Sequence, residues 1–150
     1  KYDLEKNKHR ISKSHIFQEY IDGVIIGINI FVKKNKIFIL SINEQIYKHS
    51  SNHEIYLSKI NIGKYNYMLH TFEIFVKNIL GNLNDSFGFI GIDAILTDDQ
   101  KIIFLEINPR LTTSYIGLGE SLGINPFAFL HKNISSFNII NNKLITLRIA

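Results

Sequence analysis

The chain has 150 residues, 45% of them hydrophobic and 20% charged, with a formal net charge of +4 and no cysteine. That is enough apolar chain for one domain with its own core, and it excludes a disordered tail, a disulfide scaffold and any thiolate metal site. No apolar run approaches bilayer length and no secretory leader is evident, so the expected location is cytoplasmic with no membrane partner.

Residues 1–14, "KYDLEKNKHRISKS", are polar and expected to be irregular. "HIFQEYID" reads as a strand ending at Gly23, and "VIIGINIFV" as a second, buried one. "KKNK" is a turn and "IFILSIN" a third strand, so an antiparallel meander is the economical arrangement. Residues 47–64, rich in Asn, Ser and His, are expected to form a loop. From Asn66 to Leu83 the period changes: Leu69, Phe72, Val76, Ile79 and Leu83 recur at three- and four-residue steps, an amphipathic helix with Gly81 near its end. "FGFIGIDAIL" and "KIIFLEIN" read as two strands around "TDDQ". Two short helices are expected in "TSYIGLGESLG" and "NPFAFLHKN", the second with Asn125 as N-cap and Pro126 at its first position. "KLITLRIA" closes as a strand. The fold class is therefore α+β, an antiparallel sheet with flanking helices and no internal linker.

The hairpin around "TDDQ" carries the chemistry. Ile90, Ile92, Ala94 and Leu96 share one face of its first strand, and Asp93 points to the other. In the second strand Ile103, Leu105 and Ile107 share a face, with Glu106 and Asn108 opposite. An even loop centred on Asp99 and Gln100 pairs Ile92 with Ile107, Ala94 with Leu105, and Asp93 with Glu106. Opposed carboxylates destabilise a ladder by ~0.2–1 kcal/mol. A shared proton, a neighbouring cationic side chain or a divalent cation would offset that. Asn108, two residues on, adds a neutral oxygen, and two carboxylates with an amide suit Mg²⁺. Pro109 ends the strand and holds Asn108 and Arg110 at its rim, where a guanidinium could meet phosphate oxygens. The spacing serves equally a plain strand end in which Glu106 and Arg110 form an ion pair and Asn108 is a turn residue.

"GFIGIDAILTDDQKIIFLEINPRLTTSY" resembles the metal-binding end of the ATP-grasp superfamily of ligases. The resemblance implies Asp93, Glu106 and Asn108 as ligands of Mg²⁺, or Mn²⁺, bridging the phosphates of ATP. It implies Arg110 as the catalytic residue that holds an acyl phosphate. "FQEYIDG" resembles the family's adenine-binding hinge, which maps nucleotide contacts onto Gln18, Glu19, Tyr20 and Ile21. "LSINEQIY" is similar to the small ATP-grasp proteins that include archaeal tyramine–glutamate ligases and their relatives in methylotrophic bacteria. Ser41, Asn43 and Gln45 alternate there onto one face, with Asn43 a further candidate for cofactor binding.

The sequence departs from the family in several places. Nothing in residues 1–14 resembles the Lys-bearing strand and Gly-rich loop that cover the triphosphate. "VIIG" lacks the acidic residue that many members place after the hinge to hold the ribose. Gly91 stands where some branches have Arg. The expectation is a partial ATP-grasp domain over 1–150: the C-terminal subdomains of a longer ligase, with the N-terminal domain missing.

The expected function is ATP- and Mg²⁺-dependent joining of a small-molecule carboxylate to an amine through an acyl phosphate, with tyramine or tyrosine and glutamate as candidate substrates. The alternative is a non-catalytic remnant acting as a nucleotide-binding or interaction module. Nucleic acid is not an expected partner, because the lysines are dispersed and only "KNKHR" and "KKNK" cluster. Six scattered histidines, including "HSSNHE", lack the helical spacing of a zinc motif. The sequence names neither the acid nor the amine, and gives no oligomeric state.

Overall fold

The computed structural model describes residues 18–51, 54–81, 87–131, 139 and 142–149. Six strands make one antiparallel sheet in the order β5-β4-β1-β2-β3-β6. In chain order they are β1 (Val24–Lys33), β2 (Lys36–His49), β3 (Ile55–Ile62), β4 (Phe87–Leu96), β5 (Ile102–Asn108) and β6 (Ile145–Arg148). Helix α1 (Leu69–Leu80) precedes β4; α2 (Tyr115–Leu122) and the short α3 (Ala128–His131) follow β5. The expected α+β class and antiparallel sheet hold, and β1 lies inside the sheet because β4 returns to pair with it along its whole length.

Each face of the sheet buries its own cluster. Ile26, Ile28, Ile30 and Val32 alternate along β1 onto the α1 side, where they meet Ile92 of β4 and Phe72, Val76 and Leu80 of α1. The four-residue step of those helix positions makes one stripe, and Gly81, at φ +53°, ends the helix as its sequence suggests. On the other face Phe31, Leu40, Ile60 and Ile62 pack with Leu118 of α2 and Phe129 of α3. Leu40 reaches that face through a bulge, since Asn29 pairs with Ser41 but Ile30 with Ile39. The β1–β2 turn is the two-residue kind, with Lys34 and Asn35 both at positive φ, as the twist of a hairpin favours.

Three expectations change. Residues 18–22 are not strand: the first rung of β1 is Val24 with Leu96, where β4 ends, so the segment before it has no ladder partner. Residues 15–17 of that expected strand, and residues 1–14, lie outside the described set. The expected loop over 47–64 contains the end of β2 and all of β3. The signal there was Ile60 and Ile62 alternating with Asn61, which turns to the α1 side and hydrogen-bonds Glu44 and Thr146. A strand face whose polar side chains pair with neighbouring strands has the composition of a loop. The expected cap of α3 is present: Asn125 Oδ1 accepts the Phe127 N–H (2.9 Å), its carbonyl accepts the Ala128 N–H (2.9 Å), and the regular helix follows from Ala128.

The third change lies in the β4–β5 hairpin. Its loop spans 97–101, five residues and not an even number, because Leu96 pairs with Ile102 and Ala94 with Phe104, not Leu105. A bulge between Asp93 and Ala94 absorbs the odd residue, so Asp93 still faces Glu106 and Ile92 still faces Ile107.

Candidate functional site

On the face away from α1, three strands, β2, β4 and β5, bring polar side chains to one end of the sheet. Asp93 Oδ1 accepts a hydrogen bond from Gln45 Nε2 (2.7 Å), and Asp93 Oδ2 accepts one from Asn108 Nδ2 (3.0 Å). The same Asn108 Nδ2 donates to Glu106 Oε1 (2.9 Å), so one amide NH₂ bridges both carboxylates. Asn108 Oδ1 accepts from Arg110 (3.2 Å), whose other terminal nitrogen donates to the Leu111 carbonyl (3.2 Å). Acceptors on one side and a guanidinium on the other fix the orientation of that amide. Among the described residues no ion pair joins Arg110 to Glu106.

The carboxylate pair is only partly neutralised. Asp93 is half-buried, and desolvation, with the neighbouring Glu106, holds its carboxyl above the usual aspartate range; the Gln45 hydrogen bond and Arg110 pull in the opposite direction. Tyr47, next to them, is pushed up by burial and by the charges of Asp93 and Glu106, which keeps its hydroxyl protonated. That hydroxyl donates to Gln45 Oε1 (2.9 Å). Among the described residues no three His, Asp or Glu side chains gather as a metal cluster. The set is two carboxylates and an amide, hard oxygen donors with excess negative charge, and that chemistry fits a divalent cation such as Mg²⁺.

The segment after Arg110 is pinned across the sheet. Leaving β5 at Pro109, the chain passes back over β4 and β1 to reach α2. Thr112 crosses Gly91 so closely that a Cβ there would lie 2.4 Å from the Thr112 methyl. Thr112 Oγ1 (3.0 Å) and Ser114 Oγ (2.8 Å) both donate to Asn29 Oδ1, and Asn29 Nδ2 donates to Ser41 Oγ (3.1 Å). Asn29, Ser41 and Ser114 are buried. Thr112 and Thr113 both line the same cavity as Asp93, Glu106, Asn108 and Arg110.

A second, adjoining cavity shares Asp93, Glu106, Gln45 and Tyr47 and extends to Gln18, Ile25, Phe104 and Leu105. Gln18, from the expected hinge, thus lies on the same cleft as the carboxylates. Glu19, Tyr20 and Ile21 do not line it, and Tyr20 is exposed. Asn43 does not join the site either. It is fully buried, its Oδ1 accepting the Gly63 N–H (3.0 Å), so as placed it braces the turn after β3 and offers no surface to a nucleotide. Tyr47 falls in the polar stretch expected to be a loop, so nothing in its local sequence marks it as part of the site. Gln45 was noticed only as one of three alternating polar residues.

A model of the ATP-grasp domain matches residues 1–114. The chain is 32% identical over 108 residues to the tyramine–L-glutamate ligase of Methanocaldococcus fervens, a match that covers 71% of this chain and 34% of that protein. It therefore spans about a third of the length of that relative. The fold is similar to that of an ATP-grasp superfamily protein from Archaeoglobus fulgidus, with a TM-score of 0.55 at 19% identity, covering 89% of this chain and 48% of that one. It is also similar to L-amino acid ligase from Bacillus licheniformis, with a TM-score of 0.53 at 19% identity over 71% of this chain and 28% of that one.

Proposed function

This chain belongs to the ATP-grasp domain family, and from that premise we propose that it forms the cation- and phosphate-handling part of an ATP-dependent carboxylate–amine ligase. The observation that carries the proposal is the convergence of Asp93, Glu106 and Asn108 on one spot beside Arg110. The acceptor carboxylate attacks the γ-phosphorus of ATP, giving an acyl phosphate and ADP. An amine then attacks the acyl carbon, phosphate leaves, and an amide remains. No protein nucleophile is required, in keeping with a chain that has no cysteine.

Mg²⁺ held by Asp93, Glu106 and Asn108 would neutralise and orient phosphate oxygens. The chain's own contributions are separate from that. Arg110 supplies a fixed positive charge and several N–H donors where charge builds on the transferring phosphoryl group. Asn108 presents its NH₂ to the carboxylates and its oxygen to Arg110 in the present arrangement; rotating the amide brings the oxygen to the cation side. Thr112 and Thr113, on the same cavity, are the proposed contacts of the acceptor acid. Gln18, on the adjoining cavity, is the proposed adenine contact, and Glu19 to Ile21 could share that role only through a change of position that brings them to the cleft. Glutamate and tyramine are the first substrates to try, because of the similarity to the M. fervens enzyme.

The test is ADP formation by the protein with Mg²⁺, ATP and paired acids and amines, glutamate with tyramine first. The expected result is amine-dependent ADP and amide formation that Glu106→Gln abolishes. ATP binding with no turnover against any pair would favour the remnant, and absence of any Mg²⁺-dependent ATP binding would overturn the assignment.

A further inference from the structure

We infer that Gln45, steadied by Tyr47, is a positioning residue that fixes one oxygen of Asp93 and leaves the other for the cation. The inference rests on the assignment of Asp93, Glu106 and Asn108 as cation ligands.

Gln45 is on β2 and Asp93 on β4, with β1 between them. Strands two apart in a sheet are separated by roughly 9–10 Å, so a direct contact needs a long side chain and a gap in the middle strand. Gly27 is that gap. It pairs with Asp93 on one side and with Asn43, two residues from Gln45, on the other. A Cβ at residue 27 would stand 2.3 Å from Gln45 Nε2 and 3.5 Å from Asp93 Oδ1. Any other residue there would push the amide off the carboxylate.

The amide's orientation is also determined. Tyr47 donates to Gln45 Oε1, which turns the NH₂ toward Asp93 Oδ1. Asp93 Oδ2 is the oxygen that faces Asn108, and through it Glu106. Gln45 thus approaches from the side away from the second carboxylate, and its hydrogen bond survives when a cation replaces the Asn108 NH₂ between the two. A neutral donor is suited to this work. A Lys or Arg at position 45 would orient Asp93 equally well but neutralise the charge that attracts the cation. Outer-sphere hydrogen bonds of this type set ligand orientation and typically change metal affinity 10- to 100-fold.

The experiment is titration of the full chain with Mn²⁺, read as free Mn²⁺ by electron paramagnetic resonance, for the parent, Gln45→Leu, Tyr47→Phe, Gly27→Ala and Glu106→Gln. Thermal melts run alongside. The expected result is affinity about 10- to 100-fold weaker in Gln45→Leu and Gly27→Ala. Tyr47→Phe should be weaker by about 3- to 10-fold, one neutral hydrogen bond's worth. The Tyr47 hydroxyl donates to Gln45 and not to a proposed ligand, so a merely structural role would lower the melting temperature of Tyr47→Phe without moving Mn²⁺ affinity. Parent-like affinity in Gln45→Leu and Tyr47→Phe, with Glu106→Gln impaired, overturns this inference alone. Absence of Mn²⁺ binding by the parent, or no effect of Glu106→Gln, overturns the cation assignment and this inference with it.

Discussion

Asp93 stands directly opposite Glu106 in the β4–β5 ladder, and one amide NH₂, that of Asn108, lies between their carboxylates. The NH₂ occupies the electrostatic position that a cation would take. It carries only partial charge, so the pair retains a deficit that a divalent ion would fill.

Replacing Glu106 by Gln should therefore remove much of the site and little of the fold. Glu106 is exposed on an edge strand and contributes no ion pair among the described residues. Cation affinity should fall at least about 100-fold, beyond the 10- to 100-fold typical of an outer-sphere change. The melting temperature of the cation-free chain should stay level or rise, since a like-charge opposition disappears. Isothermal titration and thermal melts of the two chains check both halves.

Asp93 gives a pH signature with a defined sign. Burial raises its carboxyl above the ordinary aspartate value of 3.8 in the folded chain. A group raised on folding contributes stability at pH below its unfolded value and loses it as pH climbs through the folded value. Cation-free stability attributable to Asp93 should thus decline upward from about pH 4. Glu106→Gln, which removes one cause of the shift, should flatten that decline. Added Mg²⁺ should stabilise the parent more at pH 7 than at pH 4, because only the ionised pair binds it. Melts across pH 3.5–7.5, with and without Mg²⁺, report all three effects.

Arg110→Lys keeps a positive charge but loses the planar fork. Removing one preorganised donor to a developing charge typically lowers kcat by about 10²–10³. A similar loss is expected here for ADP formation, with ATP affinity altered far less. Separate measurement of kcat and KM distinguishes this from loss of binding.

The Asn29–Thr112–Ser114 cluster should couple stability to the site. Asn29→Leu leaves the buried Ser114 and Ser41 hydroxyls short of partners and should cost about 1–3 kcal/mol. Gly91→Ala drives a methyl into Thr112 and should cost about 1–3 kcal/mol by overpacking. Both changes loosen the segment that carries Arg110, so ligase activity should fall more steeply than urea-unfolding free energy in either variant. For comparison, Phe72→Ala empties the centre of the α1-side core and should cost about 3–5 kcal/mol.

Much of this protein was legible in its residue order alone. The buried run of β1, the alternation of β4, the three- and four-residue period of α1, the turn at Lys34–Asn35 and the opposition of Asp93 to Glu106 all follow from side-chain period and turn chemistry, which are local. Strand β3 was hidden because its polar face is satisfied by partners on β2 and β6, and a strand with one hydrogen-bonded face has the composition of a loop. Only the tertiary structure decided that β1 runs between β2 and β4, and the rest of the site depends on that order. With Gly27 in the middle, Gln45 reaches a carboxylate 48 residues away. With Gly91 opposite Asn29, the Arg110 segment can cross the sheet. Sequence spacing encodes which face a side chain takes. It does not encode which strands are neighbours, because that is settled by burying two separate apolar faces at once.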